Sequence, residues 1–187
     1  MLSWPPSPDA WRACLKDGDI IVVLMPIEGA IAQARDAARR RCTELLDAFP
    51  GCFASRSATD GLAAVALAAT ARVGVDVERI DPRFTPDEEL LDMALDPTER
   101  ATVARHDLHD FQRLWTRKES ALKAAGAGLA LRPASVHLGW NTEDWTCVDF
   151  DARASTVHVR SIASPPDFAA AVATLGAPRG VQVLTLD

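Results

Sequence analysis

The sequence has few cysteines, and none are spaced closely enough to suggest a zinc site or a redox centre. Its four cysteines, Cys14, Cys42, Cys52 and Cys147, are widely separated and contain no Cys-x-x-Cys motif. The first residues show no basic-then-apolar signal pattern, and no apolar run reaches the roughly 18 residues that cross a bilayer. We therefore expect a cytoplasmic protein with reduced thiols that does not associate with membranes.

The sequence also lacks an excess of basic residues and several common site signatures. Its formal net charge of −6 argues against a nucleic-acid or anionic-membrane binder. It contains no Gly-x-x-x-x-Gly-Lys-[Ser/Thr] loop, no Gly-x-Gly-x-x-Gly motif and no serine-histidine-aspartate signature. With 187 residues, 48% of them hydrophobic, the chain suits one soluble domain or two tightly joined halves.

Hydrophobic patterning predicts an α+β fold. Strands are predicted at residues 18–27, 61–69 and 71–80, and the last two are expected to form a hairpin. Helices are predicted at residues 31–49, 85–95, 96–107 and 111–125, the last ending at Gly126 and Gly128. Three further strands are predicted at residues 135–140, 145–150 and 155–162.

A weak internal repeat predicts two similar α+β halves, with approximate bounds 1–80 and 81–187, in one domain spanning 1–187. The segment DFAAAVAT from Asp167 resembles DGLAAVAL from Asp60, and each continues into an alternating valine strand, GVQV or GVDV. Gln182 and Leu184 stand roughly where Asp76 and Glu78 stand in the first half. If the halves match, only the first carries the acids.

Four charged residues are candidates for metal-assisted phosphoryl chemistry. Asp76 and Glu78 lie two apart on a predicted strand, so both side chains share one face, and oxygen ligands at this spacing suit Mg²⁺ or Mn²⁺. Glu119 offers a third carboxylate, and Lys123 lies one helical turn further on the same face. The alternatives are the polar outer face of a strand and a plain Glu–Lys surface pair.

The tripeptide Ser55-Arg56-Ser57 precedes the first of the two repeated segments. Short hydroxyl side chains beside a guanidinium are compatible with phosphate binding. They are equally compatible with a polar turn.

Two blocks, GVDVE (74–78) and LWTRKESALKAAGAGL (114–129), together resemble the signatures of the larger, surfactin-synthetase-like 4′-phosphopantetheinyl transferases. The family patterns are roughly G-[IV]-D-[IV]-E and W-x-x-K-E-[SA]-x-x-K followed by a Gly-rich turn and Leu. Residue types, order and spacing match, and the resemblance extends from about Phe53 to the C-terminus. It implies two α+β halves with pseudo-twofold symmetry and a monomer. It also implies transfer of 4′-phosphopantetheine from coenzyme A to a serine of an apo acyl or peptidyl carrier protein, with release of adenosine 3′,5′-bisphosphate.

The resemblance also implies a role for each matching residue. Asp76, Glu78 and Glu119 match the acids that hold Mg²⁺, and Lys123 matches the lysine that contacts the pyrophosphate. Glu119, directly or through a metal-bound water, would help to remove the serine proton. Lys118 belongs to the family's Lys-Glu pair and is expected near the phosphates.

Two departures from the family concern the binding of coenzyme A. Where the family has Ser-His-Ser, this chain has Ser55, Arg56 and Ser57, and arginine keeps the cation but cannot accept a proton. The family's Gly-Lys-Pro turn is also missing, so contacts to the nucleotide end are expected to be reduced, or moved to arginines of the preceding helix: Arg39, Arg40 or Arg41.

Two alternative functions remain open at this point. A non-catalytic relative would bind coenzyme A or a carrier protein without transfer. A structural α+β protein would carry the acids and lysine as surface pairs. If a carrier is the partner, the sequence predicts docking on a basic patch around Arg113 and Arg117.

Overall fold

The computed structural model describes residues 7–127, 131–140, 145–150 and 155–186. The helices are α1 (Pro8–Lys16), α2 (Ile31–Ala48), α3 (Glu88–Ala94), α4 (Pro97–Thr102) and α5 (Leu108–Ala125). The first four strands are β1 (Ile20–Pro26), β2 (Phe53–Thr59), β3 (Leu62–Ala68) and β4 (Val73–Arg79). The last four are β5 (Thr146–Phe150), β6 (Ser155–Ser161), β7 (Phe168–Leu175) and β8 (Val181–Thr185).

The strands form two four-stranded sheets that exchange one strand each. The first sheet has the order β2-β3-β1-β8 and the second has the order β4-β7-β6-β5. Strand β4 follows β3 in the chain but pairs with β7, whereas β8 follows β7 but pairs in parallel with β1. The pseudo-twofold relation and the division into halves stay predictions, but this reciprocal exchange is a property of the fold.

The predicted hairpin of residues 61–69 and 71–80 is wrong. Strand β3 pairs with β1 and β2, and β4 belongs to the other sheet. Strand β3 is buried along its whole length. Its apolar sequence therefore does not distinguish hydrogen-bonded pairing with β4 in one sheet from packing against β4 across two sheets. The valines of β4 pack against β3 across the space between the sheets.

Three apolar clusters arrange the chain in four layers, helix, sheet, sheet and helix. One cluster fills the space between the sheets with alternate residues of β1, β3, β4 and β7. A second packs α1 and α2 against the outer face of the first sheet. A third packs α3 and α5 against the outer face of the second sheet. One face of β4 is therefore turned to the other sheet, and its opposite face is turned to α5.

Most predicted elements are confirmed, with shifted ends. Helix α5 begins at Leu108, earlier than predicted, because the Asp107 side chain accepts a hydrogen bond from the Asp110 amide and caps it. It ends at Gly126 in the left-handed conformation, and Gly128 lies outside the described residues. The strand predicted at residues 135–140 is wrong, because this segment contains a 3₁₀ turn, Pro133–Ser135, and no strand.

Helix α1 and strand β2 are among the elements that the sequence did not predict. Helix α1 is short and has one buried stripe, and its Trp11 side chain is completely buried against the first sheet. Strand β2 contains the tripeptide that could equally have been a polar turn, so Arg56 extends from a strand.

All four cysteines are free thiols. Over the described ranges, none of the helices combines the length and the apolar character that crossing a membrane requires.

Candidate active site

Three side-chain hydroxyls join the edge strands of the two sheets. They are spaced two residues apart on β2, so they share one face of that strand. Each is bonded to an atom of β4: Ser55 Oγ to the Val75 amide (3.1 Å), Ser57 Oγ to Asp76 Oδ1 (2.8 Å) and Thr59 Oγ1 to the Arg79 amide (3.3 Å). The spacing of Ser55, Ser57 and Thr59 was the sequence signal for this seam, although its meaning depends on knowing that β2 faces β4.

Gly74 lets α5 lie directly against β4. A Cβ atom on Gly74 would be 2.0 Å from the Ser120 carbonyl oxygen and 2.6 Å from the Ala124 amide nitrogen. Gly74, Asp76 and Glu78 point to the same face because they alternate along the strand. The close contact therefore brings the two acids of β4 to the surface of α5 that carries Glu119 and Lys123.

The Lys123 ammonium donates hydrogen bonds to Asp76 and to two neighbouring oxygen atoms. Its Nζ lies 2.7 Å from Asp76 Oδ1, 3.1 Å from the Val75 carbonyl oxygen and 3.3 Å from Ser57 Oγ. Among the ion pairs of the described residues, Lys123 pairs with Asp76 and not with Glu119. The plain Glu–Lys surface pair considered as an alternative is therefore not what this structure contains.

Asp76 is a buried carboxylate with one oxygen left without a bond. The residue is 4% exposed, and its Oδ2 has no hydrogen-bond partner among the described residues. Burial raises the pKa of Asp76, although the Lys123 ammonium and the hydrogen bond from Ser57 act in the opposite direction. A buried acceptor of this kind is costly unless something pairs with it.

Three carboxylates line one cavity of about 550 Å³ with Lys123. Burial, followed by the charge of Asp76, raises the pKa of Glu78 to about 7, although a hydrogen bond with Trp115 opposes the shift. Burial and the charge of Asp76 also raise the pKa of Glu119. The remaining wall is mainly apolar: Met93, Trp115, Leu122, Leu131, Arg132 and Pro133. Burial is the first cause of all three raised pKa values, and repulsion from Asp76 adds to it for Glu78 and Glu119.

These residues fit a divalent cation by donor type. All three ligands are carboxylate oxygens, which Mg²⁺ prefers, and the Asp76 Oδ2 atom is buried without a partner. Among the described residues, the one trio of potential ligands with atoms within 4.8 Å of one another is a different one, Asp96, Glu99 and His137. What favours a cation beside Asp76, Glu78 and Glu119 is their common cavity and the unbonded Oδ2 atom of Asp76.

The trio of Asp96, Glu99 and His137 is saturated by hydrogen-bond donors instead. Glu99 Oε1 accepts from the amides of Leu138 and Gly139 (3.2 and 3.1 Å), and Oε2 accepts from the Asp96 amide (3.0 Å) and from a buried lysine. Asp96 caps α4 and contacts His137 Nδ1 at 2.5 Å. These contacts fix the 131–140 segment against α4 and leave neither Glu99 oxygen available to a metal.

That buried lysine is Lys118, and its predicted place near the phosphates is wrong. The side chain is completely buried, and its Nζ donates to Glu99 and to the Ala94 carbonyl oxygen (2.8 Å). Adjacent helical residues point about 100° apart, so Lys118 and Glu119 lie on different faces of α5. Arg117 is also completely buried and donates to Thr146 Oγ1 at 2.5 Å, so its predicted place in a docking patch is wrong too.

Lys123 also lines a second, basic cavity. Its volume is about 360 Å³, and four cationic residues line it with Ala38, Ser57 and Ala58: Arg35, Arg39, Arg56 and Lys123. Arg35 was not predicted, although its spacing of four from Arg39 on a helix was a usable signal. Besides Lys118, the structure places three of the predicted phosphate-binding residues elsewhere. Arg40 lines a separate cavity with Arg41 and Glu44, and Ser55 lines neither the acidic nor the basic cavity.

One comparison with known proteins identifies a family. The model of the 4′-phosphopantetheinyl transferase superfamily matches residues 72–173, which is more than half of the 187-residue chain. The matched segment runs from the start of β4 into β7 and includes the three acids and Lys123. No curated protein sequence matches the chain.

Proposed function

The chain belongs to the 4′-phosphopantetheinyl transferase superfamily, and we propose that it transfers 4′-phosphopantetheine from coenzyme A to a serine of an apo acyl or peptidyl carrier protein. The observation that carries this proposal is the position of Lys123. It lines the cavity of the three carboxylates and also the cavity of the three arginines. A substrate with a charged pyrophosphate needs both a metal-binding group and a cationic group at the same point.

Asp76, Glu78 and Glu119 would hold Mg²⁺, or Mn²⁺ in its place. When bound, the ion would neutralise charge on the pyrophosphate. The hydroxyl contacts between the sheets orient Asp76, because Ser57 and Lys123 bond its Oδ1 atom and its Oδ2 atom has no hydrogen-bond partner among the described residues. Gly74 sets the distance between the strand and the helix that supply them.

In the proposed reaction the carrier serine oxygen attacks the phosphorus that bears the pantetheine arm. A new P–O bond forms to the serine, the P–O bond to the second phosphate breaks, and adenosine 3′,5′-bisphosphate leaves. Glu119 takes the hydroxyl proton as the general base. Lys123 stabilises the charge on the pyrophosphate oxygens.

We also propose that the protein is of the surfactin-synthetase-like type, is a monomer and lies in the cytoplasm. The surfactin-synthetase-like type is supported by the two sheets within one chain and by the short internal repeat. We expect the carrier protein to dock beside Arg113, which is the exposed member of the predicted docking pair.

Mass spectrometry of an apo carrier protein after incubation with the chain, coenzyme A and Mg²⁺ tests this function. We expect the carrier to gain one phosphopantetheine, and we expect EDTA to abolish the gain. Coenzyme A binding without any product across fatty-acid, polyketide and peptide-synthetase carriers would instead establish the non-catalytic alternative.

A further inference from the structure

We propose that the buried pair of Lys118 and Glu99 positions the wall of the acidic cavity, which is the cavity that the three carboxylates line with Lys123. This inference rests on the proposed function, because it concerns the same reaction. Over the described ranges, neither Lys118 nor Glu99 lines the cavity. Both are therefore positioning residues, which act through the elements to which they are bonded.

Part of the wall of the acidic cavity comes from outside β4 and α5. Met93 belongs to α3, and Leu131, Arg132 and Pro133 belong to the segment that follows α5. These two pieces of the wall are joined at the surface, where the Arg132 guanidinium donates to the Asp92 carbonyl oxygen at 3.3 Å. A single exposed hydrogen bond contributes little net stability, so the position of both pieces depends on bonds made in the core.

One buried ion pair connects both pieces of the wall to α5. The Lys118 ammonium donates to Glu99 of α4 and to the carbonyl oxygen of Ala94, the last residue of α3, at 2.8 Å. Glu99 in turn accepts hydrogen bonds from the Leu138 and Gly139 amides at 3.2 and 3.1 Å. Lys118 therefore joins α3 to α5 directly, and it joins the segment after α5 to that helix through Glu99.

The burial of the pair suits it to fixing positions. The Lys118 and Glu99 side chains are 0% and 1% exposed. A buried ion pair adds little net stability compared with apolar side chains of similar volume, because the cost of removing both charges from water offsets their attraction. An apolar pair cannot, however, reproduce the directed bonds that Lys118 makes to α3 and α4.

The proposed Mg²⁺ ligands are held by other contacts. Asp76 Oδ1 is bonded to Ser57 and Lys123, and the lack of a side chain on Gly74 lets β4 approach α5. These contacts do not involve the buried ion pair. Loosening the pair should therefore displace the rest of the wall and leave the acids in place.

Two variants separate positioning from stability. Lys118→Met leaves the charge of Glu99 buried without its cation, whereas Lys118→Met/Glu99→Gln removes both charges and keeps a side-chain oxygen for the two amides. The double variant should therefore be more stable than the single one. It does not restore the bonds from α5 to α3 and α4, so the wall should remain displaced.

Leu15→Ala is the matched control for stability. Leu15 is 2% exposed and lies in the apolar cluster that packs α1 and α2 against the first sheet. Removing its side chain leaves a cavity in the core and lowers the free energy of unfolding. The buried ion pair belongs to the other side of the molecule and is not touched.

The experiment compares the wild type and the three variants by urea denaturation and by initial rates of carrier modification. We expect the double variant to lose about tenfold or more in kcat/KM, because small displacements of a site are costly in rate. Leu15→Ala should keep the wild-type kcat/KM although it is less stable. A structural role alone predicts the reverse order, with activity following stability.

Two further measurements do not depend on activity. Hydrogen exchange followed by mass spectrometry should be faster in α3 and in residues 131–140 of the double variant, and unchanged in α2. Binding of Mn²⁺, followed by electron paramagnetic resonance, should be the same in the double variant as in wild type.

Any of four results would overturn the inference. They are a double variant with the wild-type kcat/KM, a parallel loss of activity in Leu15→Ala, unchanged exchange in residues 131–140, and weaker Mn²⁺ binding in the double variant. In each case a wild-type protein that modifies a carrier retains the proposed function. A wild type that modifies no carrier refutes both proposals.

Discussion

Replacing Gly74 by alanine tests whether the contact between β4 and α5 builds the site. The added Cβ atom would lie 2.0 Å from the Ser120 carbonyl oxygen, and an ordinary contact begins at 3.4 Å. The helix must therefore retreat by about 1.4 Å, because the obstructing atoms belong to the backbone and cannot rotate away. Overpacking of this kind costs about 1–3 kcal/mol of the free energy of unfolding.

The same displacement should impair the reaction more than the fold. It separates Asp76 and Glu78 on β4 from Glu119 and Lys123 on α5, and a misplacement of about 1 Å can cost about 100-fold in rate. Urea denaturation measures the first effect, and initial rates of carrier modification by the folded variant measure the second.

Gly180→Ala is the matched control for this substitution. A Cβ atom on Gly180 would come within 2.9 Å of Asp19 Oδ1, which is the end of a flexible side chain that can turn aside. Neither Gly74 nor Gly180 has a positive φ, so neither alanine is strained by its backbone conformation. If Gly74→Ala proves as stable and as active as Gly180→Ala, the reasoning about the close contact is refuted.

The remaining predictions concern the acids and the buried ion pair. Glu119→Gln should abolish carrier modification in the mass-spectrometric assay while leaving the melting temperature near that of wild type, and full activity would remove Glu119 from the mechanism. Lys118→Met leaves Glu99 buried without its cation, so urea denaturation should show a loss of about 3–5 kcal/mol, and a loss below about 1 kcal/mol would contradict this. Burial alone would raise the pKa of Asp96, but hydrogen bonds from the Glu99 amide and His137 outweigh it and the pKa is lowered. The ionised Asp96 carboxylate therefore stabilises the fold above its ordinary pKa of about 3.9, and this stabilisation is lost as the pH falls below that value. Asp96→Asn should have a lower free energy of unfolding at neutral pH, and that free energy should fall less steeply with acidification than in wild type. Equal steepness in the two proteins would refute this prediction.

The parts of the fold that depend on local pattern could be predicted from the sequence. Strand β1 and helices α2 and α5 have clear periodicity and clear ends, and the structure contains all three. The common face of Asp76 and Glu78 also followed from spacing alone, because alternation along a strand does not depend on which strand is its partner. Both acids line the same cavity.

The parts that depend on partners distant in the chain could not be predicted. The apolar run of β3 is compatible with a hairpin to β4, and only the packing of the whole chain shows that the two strands belong to different sheets. Lys118 and Lys123 are both lysines of one signature block, yet one is sealed beside Glu99 and the other reaches Asp76. The sequence motif does not show which face of α5 is buried in the core and which faces the cavity.

The exchange of strands explains why this site lies where it does. Strand β4 obtains its backbone bonds from β7 in the second sheet, while its other edge is held by the hydroxyls of β2 in the first. Lys123 crosses this seam, because it extends from the helix over the second sheet and bonds Ser57 of the first. The acids therefore lie on β4 and on α5, which covers the second sheet, whereas Arg35, Arg39 and Arg56 lie on α2 and β2 at the first sheet. A phosphate-rich substrate that bridges both cavities should stabilise the contact between the sheets as well as bind to it.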